Sequence, residues 1–112
     1  MSTDRELLEL AAKAAGLVIL TELQGRRDAI GVDGLGLATK DKTWWNPMVD
    51  NGDCARLCAT LGICTEWAGS RVICVCDGYH NYTVFADHNG DKSSAWRKAA
   101  VKVAANFGRA MP

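Results

Sequence analysis

Between residues 63 and 86 the chain has no room for a crossover. Ile63 to Trp67, Arg71 to Asp77 and Tyr82 to Ala86 are β-rich runs, separated only by Ala68-Gly69-Ser70 and Gly78-Tyr79-His80-Asn81. Parallel neighbours need a connection of about a dozen residues or more, so the three runs predict an antiparallel meander. The middle run, Val72-Ile73-Cys74-Val75-Cys76, is apolar at every position. A strand of that kind is expected at the centre of a sheet, covered on both faces.

Helices are predicted on either side. Thr3-Asp4-Arg5-Glu6 reads as a capping box, a hydroxyl at the N-cap and a carboxylate three positions on. Leu7, Leu8, Ala11, Ala14 and Ala15 follow at helical spacing and Gly16 supplies a stop, which predicts a first helix over about residues 3–15. Its alanines suit close packing against a flat partner such as a sheet. Leu17 to Leu23, residues 27–32 and residues 35–40 read as further strands, the last two joined at Asp33-Gly34, a pair suited to hairpin turns. Gly25, Gly31, Gly34 and Gly36 leave this region either a meander or a partly irregular arm.

Trp44-Trp45-Asn46-Pro47 then interrupts any strand, because the proline holds Asn46 extended. Asp50 is placed to cap a second helix, with Asp53 three residues on in the capping-box position. Cys54, Leu57, Cys58 and Leu61 form one apolar stripe at i, i+3, i+4, i+7, and Gly62 ends the helix. After the polar loop Asp87 to Asp91, Trp96, Ala99, Ala100, Val103 and Phe107 mark the apolar face of a last helix over about residues 92–109. The expected class is α+β: an antiparallel sheet packed with three helices in the order α-β-β-β-α-β-β-β-α, laid out like an α/β/α sandwich.

Residues 1–112 suffice for one domain with a real core. The 13 basic and 13 acidic side chains cancel, which disfavours non-specific binding to nucleic acid or anionic membrane. No apolar run approaches the ~20 residues of a membrane helix, and Met1 to Glu6 does not resemble a secretory signal. Five cysteines without such a signal fit free thiols in a reducing cytoplasm.

Three blocks taken together resemble a known family. They are Thr3 to Gly16, then Trp45-Asn46-Pro47 with Asn51-Gly52-Asp53 and Arg56-Leu57, then Arg97-Lys98-Ala99-Ala100 leading to Gly108-Arg109-Ala110-Met111. The chain is similar across essentially its whole length to small phage and prophage proteins with a phage α/β/α (ABA) sandwich domain. Residues 17–43 and 63–90 diverge from the pattern. The resemblance implies a phage or prophage origin, a cytoplasmic location in the bacterial host and a helix-packed sheet. It carries no biochemical activity and no catalytic residues. Members have plain aliphatic residues at the positions of Cys54 and Cys58, which implies packing roles for both.

No catalytic constellation emerges from the residues themselves. Paired carboxylates, a Gly-x-Ser-x-Gly elbow and a His-Glu-x-x-His helix are all missing from the sequence. Gly31 to Gly36 lacks the Gly-Lys-Ser/Thr ending of a phosphate loop. A zinc set of Cys74, Cys76, His80 and His88 fails the usual Cys-x₂-Cys spacing, so no metal or cofactor is expected. Cys54, near a helix start, is the one thiol placed for nucleophilic chemistry, and its stripe position argues for burial instead. Asp77, His80, Asp87 and His88 belong to loops about 17 Å apart at the ends of one strand and read as solvated turn residues.

The remaining candidates are contact residues. Adjacent side chains of an extended segment point opposite ways, so one indole of Trp44 and Trp45 should face out as a contact residue. Lys98, Lys102 and Arg109 share a face of the last helix, either as a solvated surface or as a patch for an acidic partner. The expected function is therefore a non-enzymatic phage accessory protein. It would bind a host or phage macromolecule, for instance as a host-defence inhibitor such as an anti-CRISPR. A small nucleic-acid module using the basic helical face is the alternative.

Overall fold

The computed structural model describes residues 3–32, 36–76 and 82–112. In chain order the elements are α1 (Asp4–Ala14), α2 (Thr21–Ala29), α3 (Asn51–Leu61), β1 (Ile63–Ala68), β2 (Arg71–Cys76), β3 (Tyr82–Asp87) and α4 (Lys92–Ala110). The strands form one antiparallel sheet in the order β1-β2-β3, pairing Thr65 with Cys74 and Cys74 with Val84. The expected meander is present. The Asp33-Gly34 turn and residues 77–81 lie outside the described residues.

The N-cap side chains and the glycine stops act as read. Thr3 Oγ1 accepts from Glu6 N at 3.1 Å, and Gly16 leaves α1 at φ +74°. Asp50 accepts from Asp53 N at 2.8 Å, and Gly62 closes α3 at φ +69°. In α3 the apolar stripe turns inward, with Cys54 and Leu57 buried and Cys58 and Leu61 packed against the core.

The first third of the chain departs from expectation. Helix α2 takes residues 21–29 from the strands expected at 17–23 and 27–32, leaving only Ile19 of the first in a bridge. Those at 35–40 reduce to isolated bridges, Ile19 with Thr39 and Leu37 with Trp45. The helix has local support in Glu22–Arg26, an i,i+4 ion pair at 3.0 Å, and in Arg26 and Arg27 at its C-terminal turn, where the dipole favours cations. Its buried residues are Gln24 and Arg27, so it has no apolar stripe for a periodicity reading to find. The order α-β-β-β-α-β-β-β-α is thus corrected to α-α-α-β-β-β-α, with four helices among the described residues.

Layering differs as well. Helix α4 lies across β2 and β3, α3 flanks it against β1, and α1 packs on α4. Val72 and Cys74 are buried beneath these helices. Opposite them, Ile73 and Val75 are only half-buried and Phe85 is 59 % exposed, because none of the described helices covers that face. The expected sandwich is a sheet with helices on one side. The alanines of α1 serve a helix contact rather than a sheet contact. Ala11 and Ala12 are fully buried, and α4 approaches so closely that a Cβ on Gly108 would stand 2.9 Å from the carbonyl carbon of Leu10.

Candidate functional site

The two tryptophans separate as the extended backbone requires. Trp45 is 5 % exposed and belongs to the core; its N–H donates to Leu37 O at 2.9 Å and its carbonyl accepts from Leu37 N at 2.8 Å. The bridge is tight enough to need glycine next to it: Gly36 sits at φ +122°, and a Cβ there would meet Asn46 Cβ at 2.8 Å. Trp44 points outward and is 42 % exposed. The Arg27 guanidinium lies 3.4 Å from the centroid of its ring and also donates to Thr43 O, leaving Arg27 itself buried. A cation stacked this closely attracts the ring face and limits the indole's freedom. Ile30, at the C-cap of α2, is 75 % exposed.

Behind this surface a buried carboxylate holds the turn. Asp53 has no exposed surface, and its Oδ2 accepts from Asn46 N at 2.9 Å. Lys42 Nζ donates to both oxygens at 2.9 and 3.0 Å, and Arg56 donates to Oδ1 at 2.7 Å. Burial alone would raise the carboxyl's pKa. The Asn46 amide, Lys42 and Arg56 outweigh burial and hold it below the usual value, while Asp53 in turn raises Lys42. In a capping box the carboxylate would reach back to the N-cap amide. Here it reaches Asn46, and the Asp50 amide bonds Asn46 O at 2.9 Å.

The basic residues do not converge on that surface. Lys98 and Lys102 are exposed on α4 and line a cleft of about 210 Å³ against the end of β3, shared with Asp87, His88 and Asp91. Arg109 lies on the same helical face about 10 Å beyond Lys102, and donates to Asn106 Oδ1 at 2.8 Å. The cleft mixes charge signs. His88, expected as a solvated turn residue, is half-buried: its Nε2 donates to Gly69 O at 2.9 Å and its ring meets Trp67 edge-on at 6.2 Å.

Among the thiols, Cys54 and Cys74 are buried, Cys58 is half-buried and Cys64 is exposed on the outer sheet face. One turn apart on α3, Cys58 acts to raise the Cys54 thiol, together with burial, and Cys54 in turn lowers Cys58. Burial pushes Cys74 up to about 11. Its thiol meets Thr65 Oγ1 at 3.8 Å and Trp96 O at 4.0 Å, and Trp96 Nε1 donates to Thr65 at 3.1 Å. Cys74 pairs with Val84, four residues short of His88, which separates the two members of the weighed zinc set that lie in described positions. His80 and the Cys76 side chain lie outside the described residues. Among the described residues no group of three His, Cys, Asp or Glu could hold a metal ion. No described helix is long and apolar enough to cross a membrane.

Arg27, Lys42 and the full role of Asp53 escaped the sequence reading. Glu22 and Arg26 at i,i+4 was the available signal for the helix that carries Arg27. Comparison with protein-family models, curated proteins and solved structures finds no match for this chain.

Proposed function

We propose that this chain is a non-enzymatic binding module for a host or phage macromolecule, in first place a protein, with Trp44 at the centre of the contact. The observation that carries the reading is the exposed indole fixed against Arg27. Tryptophan and arginine dominate the binding energy of protein interfaces, and a side chain already held in place loses less entropy on binding. The phage setting, and a defence-inhibitor role within it, rest on the three sequence blocks alone, since the one-sided sheet departs from the sandwich they imply. Capture from lysates of candidate hosts tests the reading with the wild type, Trp44→Ala and Phe85→Ala, the last on the open sheet face. The expected result is a stoichiometric protein partner lost with Trp44→Ala and kept with Phe85→Ala. A partner indifferent to Trp44, or none in any host background, would sink it.

The exposed Lys98, Lys102 and Arg109 face favours a second reading, a nucleic-acid contact. Asp87 and Asp91 across the cleft from the two lysines make it the weaker one. Gel shifts with DNA and RNA should weaken steeply as salt rises if phosphates are bound, and absence of any shift at low salt removes the idea.

A further inference from the structure

We propose that the free edge of β3 is a docking site for an extended acidic peptide, which adds to the sheet as a further strand beside the basic face of α4. β3 is an edge strand, and among the described residues no strand pairs with its far side. His88 N donates to Ser70 O at 3.0 Å. By alternation Val84 and Ala86 turn their main-chain groups to β2, and Thr83, Phe85 and Asp87 turn theirs away from it. An open edge is a template for another strand, and proteins blunt it with a charge, a proline or a bulge. Between Thr83 and Ala86 the strand has neither charge nor proline, and its register to β2 runs without a bulge. The other edge strand, β1, has α3 beside it and the exposed Glu66 in its middle.

Charge selects the occupant. Lys98 and Lys102 lie on the β3 side of α4, over the cleft they share with Ala86 and Asp87, while Arg97 turns the other way to Met48 O and Asn51 Oδ1. The acids of the cleft are engaged elsewhere: Asp91 Oδ1 caps α4 by accepting from Ser94 N at 3.0 Å, and Asp87 faces Arg71 at 3.5 Å. Neither lysine has an ion-pair partner among the described residues. A strand added about 4.8 Å beyond β3 points alternate side chains to the two faces of the sheet. In antiparallel register those opposite Val84 and Ala86 lie on the helix side, toward Lys98 and Lys102, and suit glutamate or aspartate. The one opposite Phe85, on the open face, suits an apolar residue. The peptide therefore alternates acidic and apolar residues. A second copy of this chain fits less well, because a two-fold pairing of β3 with β3 sets the lysines of one copy against those of the other. Nucleic acid offers the edge no peptide main chain.

The test uses the full-length protein and a short fluorescent peptide alternating glutamate and valine. A lysine–valine peptide and a glutamate–valine peptide N-methylated at its valines serve as comparisons; the second loses its donors to the edge while the protein stays unaltered. Anisotropy at low salt is expected to show binding of the first peptide. Its affinity should fall about tenfold or more with N-methylation, with lysine in place of glutamate, and in the double variant Lys98→Gln, Lys102→Gln. Amide exchange should slow at Thr83, Phe85 and Asp87 when it binds. Both lysines are exposed, so the double variant is expected to fold, and circular dichroism checks that it does. Equal affinity for the lysine–valine peptide, indifference to N-methylation or to the lysine changes, unaltered exchange at the three amides, or no binding at all would each overturn the proposal. So would single-stranded DNA that binds through the two lysines when the peptide does not, which assigns the face to nucleic acid. None of these readouts involves Trp44, so this site and the Trp44 contact stand or fall separately.

Discussion

Replacing Asp53 with alanine should cost about 2–4 kcal/mol, and most of that cost comes from one amide. The carboxylate has four partner contacts: two to Lys42 Nζ, one to Arg56 and one to Asn46 N. Lys42 and Arg56 keep 43 % and 66 % of their side-chain surface, so both return to water when the carboxylate goes, and each pair contributes only about 0–1 kcal/mol. Asn46 is 4 % exposed, and its N–H loses its acceptor, which costs about 1–3 kcal/mol. Asp53→Asn keeps an oxygen that can face Asn46 N, so it should cost only about 1 kcal/mol. Urea unfolding of the three proteins at neutral pH measures both differences. The carboxyl is held below its usual pKa in the fold, so its contribution is complete above the ordinary carboxylate range and fades as pH falls through the folded value. Wild type should therefore lose more stability than Asp53→Ala on going from neutral to acid pH. An alanine variant within about 0.5 kcal/mol of wild type, or an asparagine variant no better than alanine, would refute the reasoning.

Gly108→Ala offers a test of sign. Helix propensity alone would stabilise the variant by up to about 1 kcal/mol. The contact with Leu10 reverses this to a loss of about 1–3 kcal/mol, so a rise in melting temperature would show that α1 and α4 do not cross closely. The Asp28 carboxyl, hydrogen-bonded bidentately by Arg5 at 2.8 and 2.9 Å and further by Gln24, should titrate at about 2. By NMR titration, Arg5→Gln should return it toward the ordinary value, and the stability this pair lends is present above that value and lost as pH falls toward 2. Thr3→Ala should cost about 1 kcal/mol through loss of the α1 cap, read by thermal melting.

What the chain declares locally was legible from its residues. Caps at Thr3, Asp50 and Gly62 act within three or four residues, and the short connections between β1, β2 and β3 admit only an antiparallel meander. Alternation of Trp44 and Trp45 required one indole to face out, but both are equally apolar, and only the packing of Leu37 against Trp45 and of Arg27 against Trp44 decided which. Helix α2 stayed hidden because its buried face is Gln24 and Arg27, whose partners Ala38 N and Thr43 O lie 14 and 16 residues away. The cysteine stripe of α3 was visible as packing. That Arg97, from the far end of the chain, reaches Met48 O and Asn51 Oδ1 at the start of α3 depends on how α3 and α4 meet over the sheet. Local hydrogen bonds and alternation are written in neighbouring residues. Burial, facing and charge pairing depend on elements distant in sequence, and so only the tertiary structure decided them.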